Sequence, residues 1–389
     1  MPKLIYADNA ATKRIYPDVF QAMSTVLLED FGNPSAIYDF GGRARNIIES
    51  ARVAISGAIG ANVGEVYFTS GGTEADNWAI KGTAAACLQR GKKHIISTAF
   101  EHHAVLESLK TLQHQGFDVT YIDIGANGII LPERFREAVR ADTGFATIMF
   151  ANNEIGTIQP IAEIGEICRE LGIIFHTDAV QVIGEIGIDL RSLPVDLLSI
   201  SGHKIGAAKG VGAIYIRDGV EIAKFMDGGS QEKGYRAGTE NTAAIAGLGV
   251  AVEEAGKRKN DKEFIKELRD KFFDGVLQMG GRIHGDKKNR LAGNANIAFD
   301  GLEGEFIVLF LNNYGICCST GSACNAGAVE ASHVIKALGF DSKKAKEAVR
   351  FTFSEENTIE EIDYILDKLK EIRNSCYARY GNDGDYSVD

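Results

Sequence analysis

Two kinds of hydrophobic spacing alternate along most of the chain. Apolar residues recur at the 3.6-residue period over 43–59, from about 101 and near 160–170, which predicts amphipathic helices. Short apolar runs between these stretches predict strands at 94–98, 118–122, 146–150, 172–177 and 195–201. Strands that alternate with helices favour a mostly parallel sheet with helices on both faces. We therefore predict an α/β fold in which ligands bind beyond the carboxyl ends of the strands.

The pattern changes near residue 259. The segment 253–263 is highly charged and predicts a boundary between two helices. An amphipathic helix is predicted after it and another over 358–372, where Thr358 and Glu361 have the spacing of a capping box. We therefore expect a smaller domain to begin at about residue 259.

Composition and charge narrow the function classes. The 389 residues are 45% hydrophobic and 24% charged, which is typical of a globular protein of about two domains. The net charge of −11 disfavours direct binding to nucleic acid. The sequence shows neither an apolar run of membrane-spanning length nor a basic-then-apolar leader. We therefore expect a cytoplasmic protein that contacts neither a membrane nor nucleic acid.

The cysteines do not have the spacing of a disulfide framework or a zinc site, since no C-x-x-C pair occurs. Two of them, Cys87 and Cys168, have apolar neighbours at helical spacing and are predicted core residues. The full set is Cys87, Cys168, Cys317, Cys318, Cys324 and Cys376.

Polar residues follow three of the predicted strands. Asn153 follows one strand, Asp178 and Gln181 follow the next, and Lys204 follows a third. Each of them alone is also explained as a turn former, a helix cap or a solvated side chain. Because the carboxyl ends of parallel strands meet at one edge of a sheet, their joint occurrence favours a binding site there.

A fourth polar group lies in the stretch FTSGGTEADN at 68–77. Gly71 and Gly72 end a predicted strand, and Thr73 opens a helix. Backbone N–H groups and a hydroxyl at a helix N-terminus suit a phosphate group. The sequence has neither the P-loop motif nor a complete Rossmann glycine fingerprint, which disfavours nucleotide and dinucleotide ligands.

Together these groups match the parts of one cofactor, pyridoxal 5'-phosphate (PLP). The Gly-Gly turn suits its phosphate, and Asp178 would keep its ring nitrogen protonated, which makes the ring an electron sink. Lys204 would bind its aldehyde covalently, and His102 supplies an imidazole close to the ring. We therefore predict a PLP enzyme.

Motifs along nearly the whole chain then resemble one family. Their order and spacing are those of the cysteine desulfurases of the NifS/IscS kind, in the class V aminotransferase group of fold-type I PLP enzymes. The motifs are YADNAAT (6–12), GNPSAIYDFG (32–41), FTSGGTEADNWAIKG (68–82), EHHAV (101–105), NNEIGTIQPI (152–161), HTDAVQ (176–181), SGHKIGAAKGVGA (201–213), RAGTEN (236–241), STGSACNAGAVEASHVIKALG (319–339) and VRFTFSEENTIEEID (349–363).

The resemblance implies roles for individual residues. Lys204 would also move the proton on the α-carbon of the substrate, while His102 would stack on the ring and help with proton transfer. Arg350 would bind the substrate carboxylate through a bidentate pair, with Asn33 beside it. Thr239 would contact the cofactor phosphate across the interface of a homodimer. The other cofactor contacts that the motifs imply are Gly72, Thr73, Asn153, Gln181, Ser201 and His203.

Cys324 decides the reaction that the resemblance implies. It occupies the family's Gly-Ser-Ala-Cys position, where its thiolate would attack the sulfur of the PLP-bound substrate L-cysteine. The products would be a persulfide on Cys324 and alanine. The sulfur would then pass to an acceptor protein for iron–sulfur cluster assembly or tRNA thiolation. Cys317 and Cys318 either relay sulfur or have a structural role, and no resident metal is predicted, although Cys324 could transiently bind an iron–sulfur cluster.

The family fold implies a large PLP-binding domain over 15–258. Residues 1–14 and 259–389 would form a smaller α+β domain, with Cys324 on a mobile loop over about 315–332.

Two other functions stay open at this point. A selenocysteine lyase or another class V PLP enzyme would share the cofactor site without requiring Cys324. A non-catalytic sulfur or cluster scaffold would keep the fold but lack the bond between Lys204 and the cofactor. The sequence does not identify the sulfur acceptor.

Overall fold

A computed structural model describes residues 4–258, 261–321 and 331–380 of the chain, with side chains up to residue 375. The first half of the chain contains β1 (Ile5–Tyr6), α1 (Pro17–Leu28), α2 (Asp39–Ile59), β2 (Val66–Thr69), α3 (Gly72–Gln89), β3 (His94–Thr98), α4 (His103–His114), β4 (Asp118–Ile122), α5 (Pro132–Glu137), β5 (Thr143–Thr147) and α6 (Ile161–Leu171). The second half contains β6 (Ile174–Asp178), β7 (Leu197–Ser201), β8 (Gly212–Ile216), α7 (Thr242–Lys257), α8 (Asp261–Gln278), β9 (Arg282–Ile283), β10 (Asn294–Ala298), α9 (Gly304–Asn312), β11 (Ile316–Cys317), α10 (His333–Ala337), α11 (Ser342–Lys346), β12 (Val349–Thr352) and α12 (Ile359–Tyr380).

Seven strands form the large sheet, in the order β2-β8-β7-β6-β5-β3-β4. Only β8 within it runs antiparallel to its two neighbours, and the four other strand pairs are parallel. All residues of β3, β5, β7 and β8 are buried, as expected of strands covered on both faces. The predicted α/β fold with a mostly parallel sheet is confirmed.

One predicted strand is displaced along the chain. The apolar run at 146–150 predicted a strand there, but β5 begins earlier and ends at Thr147. The run still pairs with its neighbour β6, because the N–H of Ile148 donates to the carbonyl of His176 (3.1 Å) and that of Phe150 donates to the carbonyl of Asp178 (2.8 Å). These bonds extend the sheet edge towards the functional residues at 152–154.

Helices cover the large sheet on both faces. The helices α1, α2 and α7 pack together on one face, and α3 and α4 pack on the other. The contact between α2 and α7 requires a glycine, since a Cβ on Gly249 would lie 2.8 Å from the Cα of Ala51.

A second, antiparallel sheet has the order β12-β10-β9 and its own apolar core. Helices α8, α9 and α12 pack on it around Phe272, Phe351 and Phe353. Ile5 and Ala7 belong to the same core, so the N-terminal segment packs with the C-terminal part of the chain. The domain boundaries at 14/15 and 258/259 stay a prediction.

The predicted capping box at the start of α12 is confirmed. The N–H of Glu361 donates to Oγ1 of Thr358 (3.3 Å), and the N–H of Thr358 donates to the Glu361 carboxylate (3.3 Å). The helix continues past the predicted end at residue 372 to Tyr380.

The structure differs from the prediction at the start of the segment 315–332. Ile316–Cys317 form β11, which pairs in parallel with β1, and Ser319 exchanges backbone hydrogen bonds with Arg350. A strand of two residues leaves no periodic signal in the sequence, so the predicted loop began too early. Residues 322–330, which include Cys324, lie outside the described residues.

Across the parts of the chain described here, no helix combines the length and apolarity that a membrane crossing requires.

A buried ion pair holds β2, the strand that leads into the Gly-Gly turn. The Arg52 guanidinium makes two contacts of 2.8 Å with the Glu232 carboxylate, and both side chains are more than 90% buried. Glu232 also accepts from the N–H of Phe68 (2.8 Å), and Arg52 donates to the carbonyl of Val66 (2.7 Å). Arg52 and Glu232 therefore balance each other's charge and also hold the backbone of β2 in place.

We predict that Glu232→Ala lowers the free energy of unfolding by about 3–5 kcal/mol, because it leaves the buried Arg52 charge with only the exposed Glu49 carboxylate as an ionic partner. Urea denaturation of the two proteins measures the difference. Glu170→Ala is the matched control, since the Arg136–Glu170 pair is about half exposed and such pairs contribute roughly 0–1 kcal/mol. A loss for Glu232→Ala no larger than that of the control would contradict the prediction.

Candidate active site

Lys204 ends the turn that follows β7, and its amine points into the protein. Nζ donates to the carbonyl of Ala10 (2.6 Å) and to that of Ala11 (2.9 Å), and the side chain is half-buried. It lines a small cavity together with Gln181 and Thr352. The alternative reading of Lys204 as a solvated turn residue is therefore wrong.

Asp178 and His102 lie within the electrostatic reach of this amine. Asp178 ends β6 and is buried, and its Oδ1 accepts from the N–H of Val180 (2.9 Å). Burial raises the pKa of Asp178 to about 6, although the hydrogen bond from Val180 and the charge of Lys204 act to lower it. The buried Asp178 carboxylate therefore favours a cationic group beside it.

His102 is the N-cap of α4, and its Nδ1 accepts from the N–H of Ala104 (3.1 Å). Burial lowers the pKa of His102 to about 4, with a further contribution from the charge of Lys204. The imidazole is therefore neutral at pH 7 and is held in place by its cap. The structure thus brings Lys204, Asp178 and His102 together.

The start of α3 abuts the ends of β6 and β7. A Cβ on Gly72 would lie 2.7 Å from Cγ2 of Val180 and 3.4 Å from Cβ of Ser201, so the helix approaches as closely as it does only without a side chain there. Gly71 has a φ of 152°, which favours glycine at this turn. Thr73 follows in the first turn of the helix, so Gly72, Thr73 and Ser201 share one corner of the site.

His203 is directed towards the N-terminal segment. Its Nδ1 lies 3.3 Å from Oγ1 of Thr12, and its carbonyl accepts from the N–H of Lys13 (2.9 Å). Burial lowers the pKa of His203 to about 4, so its ring is neutral at pH 7. Gln181 reaches the same segment, since its Nε2 donates to the carbonyl of Ala10 (3.1 Å).

Arg350 lies on β12 and is only 4% exposed. Nη2 contacts Oδ1 of Asp8 (2.8 Å), and Nη1 donates to the carbonyl of Asn153 (3.1 Å). Nε is buried and has no hydrogen-bond partner among the described residues. Asn153 thus meets Arg350 through its backbone, and one guanidinium donor stays available for an anion.

Asn33 and Thr239 lie on exposed segments, unlike the half-buried or buried side chains around Lys204. Oδ1 of Asn33 accepts from the N–H of Ser35 (2.9 Å). A role for either residue in the site stays a prediction.

The cysteines differ in burial. Cys87 and Cys168 are buried core residues, as predicted, and burial raises the pKa of both thiols. Burial and the nearby charge of Asp8 also raise the pKa of Cys317 and Cys318, which disfavours the reactive thiolate of these two. These thiols therefore fit the structural alternative better than the sulfur relay. The side chains of Cys324 and Cys376 lie outside the described part of the chain.

A buried polar layer beneath the strand ends was missed by the sequence reasoning. Nδ1 of His176 lies 2.8 Å from Oγ1 of Thr147, and its Nε2 lies 3.0 Å from Oγ of Ser199 and 3.7 Å from the Asp76 carboxylate. Burial and the neighbouring Asp178 raise the pKa of Asp76. The only available signal was that polar residues interrupt apolar strands two positions before their ends.

Within residues 4–258, 261–321 and 331–380, no group of three or more His, Cys, Asp and Glu side chains is arranged to hold a metal ion.

Known proteins resemble this chain over nearly its full length. The aminotransferase class-V family model matches residues 5–365. A protein of Methanosarcina thermophila named cysteine desulfurase IscS is 47% identical over 372 residues, which are 95% of this chain and 92% of the relative. A protein of the same name from Clostridium botulinum strain Hall is 44% identical over 96% of this chain and 95% of its own length.

The chain belongs to the cysteine desulfurases of aminotransferase class V. Enzymes of this family depend on PLP. The resemblance on which the sequence analysis relied is thereby confirmed.

Solved structures extend the match to the fold of the family. A NifS-like protein superposes with a TM-score of 0.90 at 36% identity, over 96% of this chain and all of the other. A structure described as SspA in complex with cysteine gives a TM-score of 0.79 at 36% identity, over 91% of this chain and all of the other. The predicted fold-type I PLP-transferase architecture is confirmed.

The low pKa of His102 predicts a specific dependence of stability on pH. The folded protein holds His102 with a pKa of about 4, whereas an unfolded histidine titrates near 6.5. The unfolded state therefore binds more protons between these values, and stability falls as the pH decreases from 6.5 to 4. His102→Asn should remove up to about 3 kcal/mol of that loss, since asparagine does not titrate but still caps a helix.

Urea denaturation without added PLP at pH 7, 5.5 and 4.5 measures this difference between His102→Asn and the unsubstituted protein. Above pH 6.5 the two curves should run parallel. Identical slopes in the acid range would show that His102 is not held neutral by the fold.

Proposed function

We propose that this chain is a PLP-dependent L-cysteine desulfurase that transfers the sulfur of cysteine to Cys324 and releases alanine. The observation that carries the proposal is the convergence of Lys204, Asp178 and His102 at the strand ends of a chain from this family. Arg350 adds a buried cation with an unpartnered donor, as recognition of an amino-acid carboxylate requires.

The described residues fit PLP. Asp178 is a buried carboxylate whose pKa burial raises to about 6, and a protonated ring nitrogen beside it would stabilise its charged form. The start of α3 lies beside Ser201, and the N–H groups at a helix N-terminus favour a negatively charged group such as a phosphate. His102 is neutral and so does not repel the ring nitrogen. When bound, PLP would act as the electron sink for bonds at the substrate α-carbon and β-carbon.

Lys204 has the position of the base in this proposal. Two backbone carbonyls hold its amine, so its free rotation is reduced before any substrate arrives. In its neutral form the amine takes up the proton that leaves the substrate α-carbon, and in its charged form it returns a proton. Arg350 orients the substrate through its carboxylate, which keeps the α-carbon near Lys204.

Cys324 is proposed as the sulfur nucleophile from its position in the sequence. Its thiolate forms an S–S bond with the sulfur of the substrate, and the carbon–sulfur bond of the substrate breaks. The electron pair of that bond stays with the substrate β-carbon, which takes up a proton and yields alanine. One thiolate and one cysteine thus give one persulfide anion and one alanine without an external oxidant or reductant.

The persulfide would pass to an acceptor protein that serves iron–sulfur cluster assembly or tRNA thiolation. The exposed position of Thr239 is compatible with a contact to a second copy of the chain, and we propose a homodimer on this basis. We also propose a cytoplasmic location, where such acceptors are synthesised.

Removal of the amine tests the cofactor assignment. A lysine-bound PLP absorbs at roughly 400 nm. Lys204→Ala should lose this absorption band, because no amine remains at this position to bind the aldehyde. Absorption spectra after incubation with PLP and gel filtration measure this. A band of unchanged position and height in Lys204→Ala would contradict the role of this residue.

Removal of the thiol tests the reaction. Cys324→Ser should keep the absorption of bound PLP but lose alanine formation from cysteine by about 100-fold or more, since a hydroxyl is a far weaker sulfur nucleophile. Amino-acid analysis of the product and mass spectrometry of the 319–339 region measure alanine and persulfide. Undiminished turnover of cysteine in Cys324→Ser would exclude the persulfide route and favour a lyase that does not use this thiol.

A further inference from the structure

Glu154 is a buried carboxylate beside the site to which no role has been given above. It follows Asn153 in the turn after β5 and is 3% exposed. Its backbone is fixed on both sides, since its N–H donates to Oδ1 of Asn152 (2.8 Å) and its carbonyl accepts from Nδ2 of Asn296 (3.2 Å). The side chain therefore starts from a rigid position.

One contact of this carboxylate lies at Ser332. The Ser332 hydroxyl donates to Oε2 of Glu154 (2.6 Å), and its oxygen also accepts from the N–H of Ile335 as the N-cap of α10. Both partners of the hydrogen bond are buried. A short hydrogen bond to a buried carboxylate is among the stronger ones in proteins.

The other contact of the same carboxylate lies at Gly321. The two groups are so close that a Cβ on Gly321 would lie 2.6 Å from Oε2 of Glu154. Gly321 has a φ of +84°, and its N–H donates to Oγ of Ser319 (3.1 Å). Ser319 in turn pairs through its backbone with Arg350. This side of the carboxylate is therefore connected to the substrate-binding arginine.

Ten residues lie between Gly321 and Ser332 in the sequence, and Cys324 is one of them. Two positions on either side of the catalytic cysteine thus meet at one oxygen atom of Glu154. Burial raises the pKa of Glu154, although the hydrogen bond from Ser332 and the charges of Arg350 and His103 act to lower it.

We propose that Glu154 is a positioning residue for sulfur transfer, which holds Gly321 and Ser332 together so that the stretch bearing Cys324 starts and ends beside Arg350. This inference rests on the proposed desulfurase function. Joining the two ends at one buried group lowers the entropy cost of bringing the thiol to the substrate, because fewer chain conformations place it elsewhere.

The first test separates sulfur transfer from substrate binding. Glu154→Ala should slow persulfide formation on Cys324 by about 10- to 100-fold, as expected when a reacting group loses its placement. The absorption of bound PLP should stay unchanged, and the KM for cysteine should change by less than about threefold, since Arg350 and Lys204 keep their partners. Single-turnover reactions with cysteine, followed by alkylation and mass spectrometry of the Cys324 peptide, give the rate.

Conservative and surface variants control for a merely structural effect. Glu154→Gln keeps an oxygen that accepts from Ser332, so its rate should stay within about threefold of the unsubstituted enzyme. Glu166→Gln changes an exposed glutamate on α6 and should leave the rate unaltered. A Glu154→Ala rate within threefold of the unsubstituted enzyme, or a loss of PLP absorption that accounts for the decrease, would overturn the proposal.

A double-mutant cycle tests whether Ser332 acts through Glu154. Ser332→Ala should slow persulfide formation by about 10-fold, which corresponds to a hydrogen bond to a charged group, while Ser332→Thr should retain the rate. In the Glu154→Ala background, Ser332→Ala should cause little further loss. Fully multiplicative effects would show that the two residues act separately and would overturn the proposal.

Gly321→Ala probes the other contact without changing Glu154. The added Cβ cannot share its place with the carboxylate, and the left-handed backbone disfavours alanine, so persulfide formation should again fall with PLP absorption retained. An unaltered rate would overturn the proposal at this contact.

If the unsubstituted enzyme itself forms no persulfide on Cys324, the proposed function and this inference both fail. If it does form the persulfide and Glu154→Ala forms it equally fast, only this inference fails.

Discussion

Two cations, the half-buried Lys204 and the buried Arg350, are held by the same short segment near the N-terminus. The carbonyls of Ala10 and Ala11 accept from the lysine amine, and the Asp8 carboxylate contacts the arginine. The segment itself is fixed to the second sheet, since Nδ2 of Asn9 donates to the carbonyl of Thr352 (2.8 Å). The relative position of the two cations thus depends on one stretch of backbone that bridges the large and the small sheet.

The acidic groups around the site add a second electrostatic constraint. Burial raises the pKa of Asp178, Asp76 and Glu101, and repulsion from the Asp178 carboxylate raises the pKa of Asp76 and Glu101 further. A cationic ring nitrogen at Asp178 would relieve that repulsion. Binding of the proposed cofactor would therefore lower the electrostatic cost of these buried carboxylates.

The sequence predicted what depends on local periodicity. Strands at 94–98 and 118–122, and the capping box of Thr358 and Glu361, match the structure because neighbouring residues determine them. The group of Lys204, Asp178 and His102 was also predicted, since parallel strands end at one edge whatever their order along the chain.

Contacts between distant segments could not be predicted in the same way. Asp8 lies in a motif that the sequence analysis singled out, but its partner Arg350 is 342 residues away and nothing local connects the two. In the sequence, Glu154 likewise looks like an ordinary turn residue, and only the structure shows its contacts with Ser332 and Gly321. The two-residue strand β11 is too short for any period to appear, so pairing with β1 alone defines it.

The same contacts disfavour sulfur chemistry at Cys317 and Cys318. Cys317 pairs with Tyr6, and both Cys317 and Cys318 are half-buried and within the electrostatic reach of Asp8, so a thiolate at either position is disfavoured. The negative charge that keeps Arg350 in position thereby disfavours both neighbouring thiols. Sulfur chemistry at this edge then requires a thiol farther along the chain than Ser319, beyond the backbone pairing with Arg350, and Cys324 is the next cysteine in the sequence.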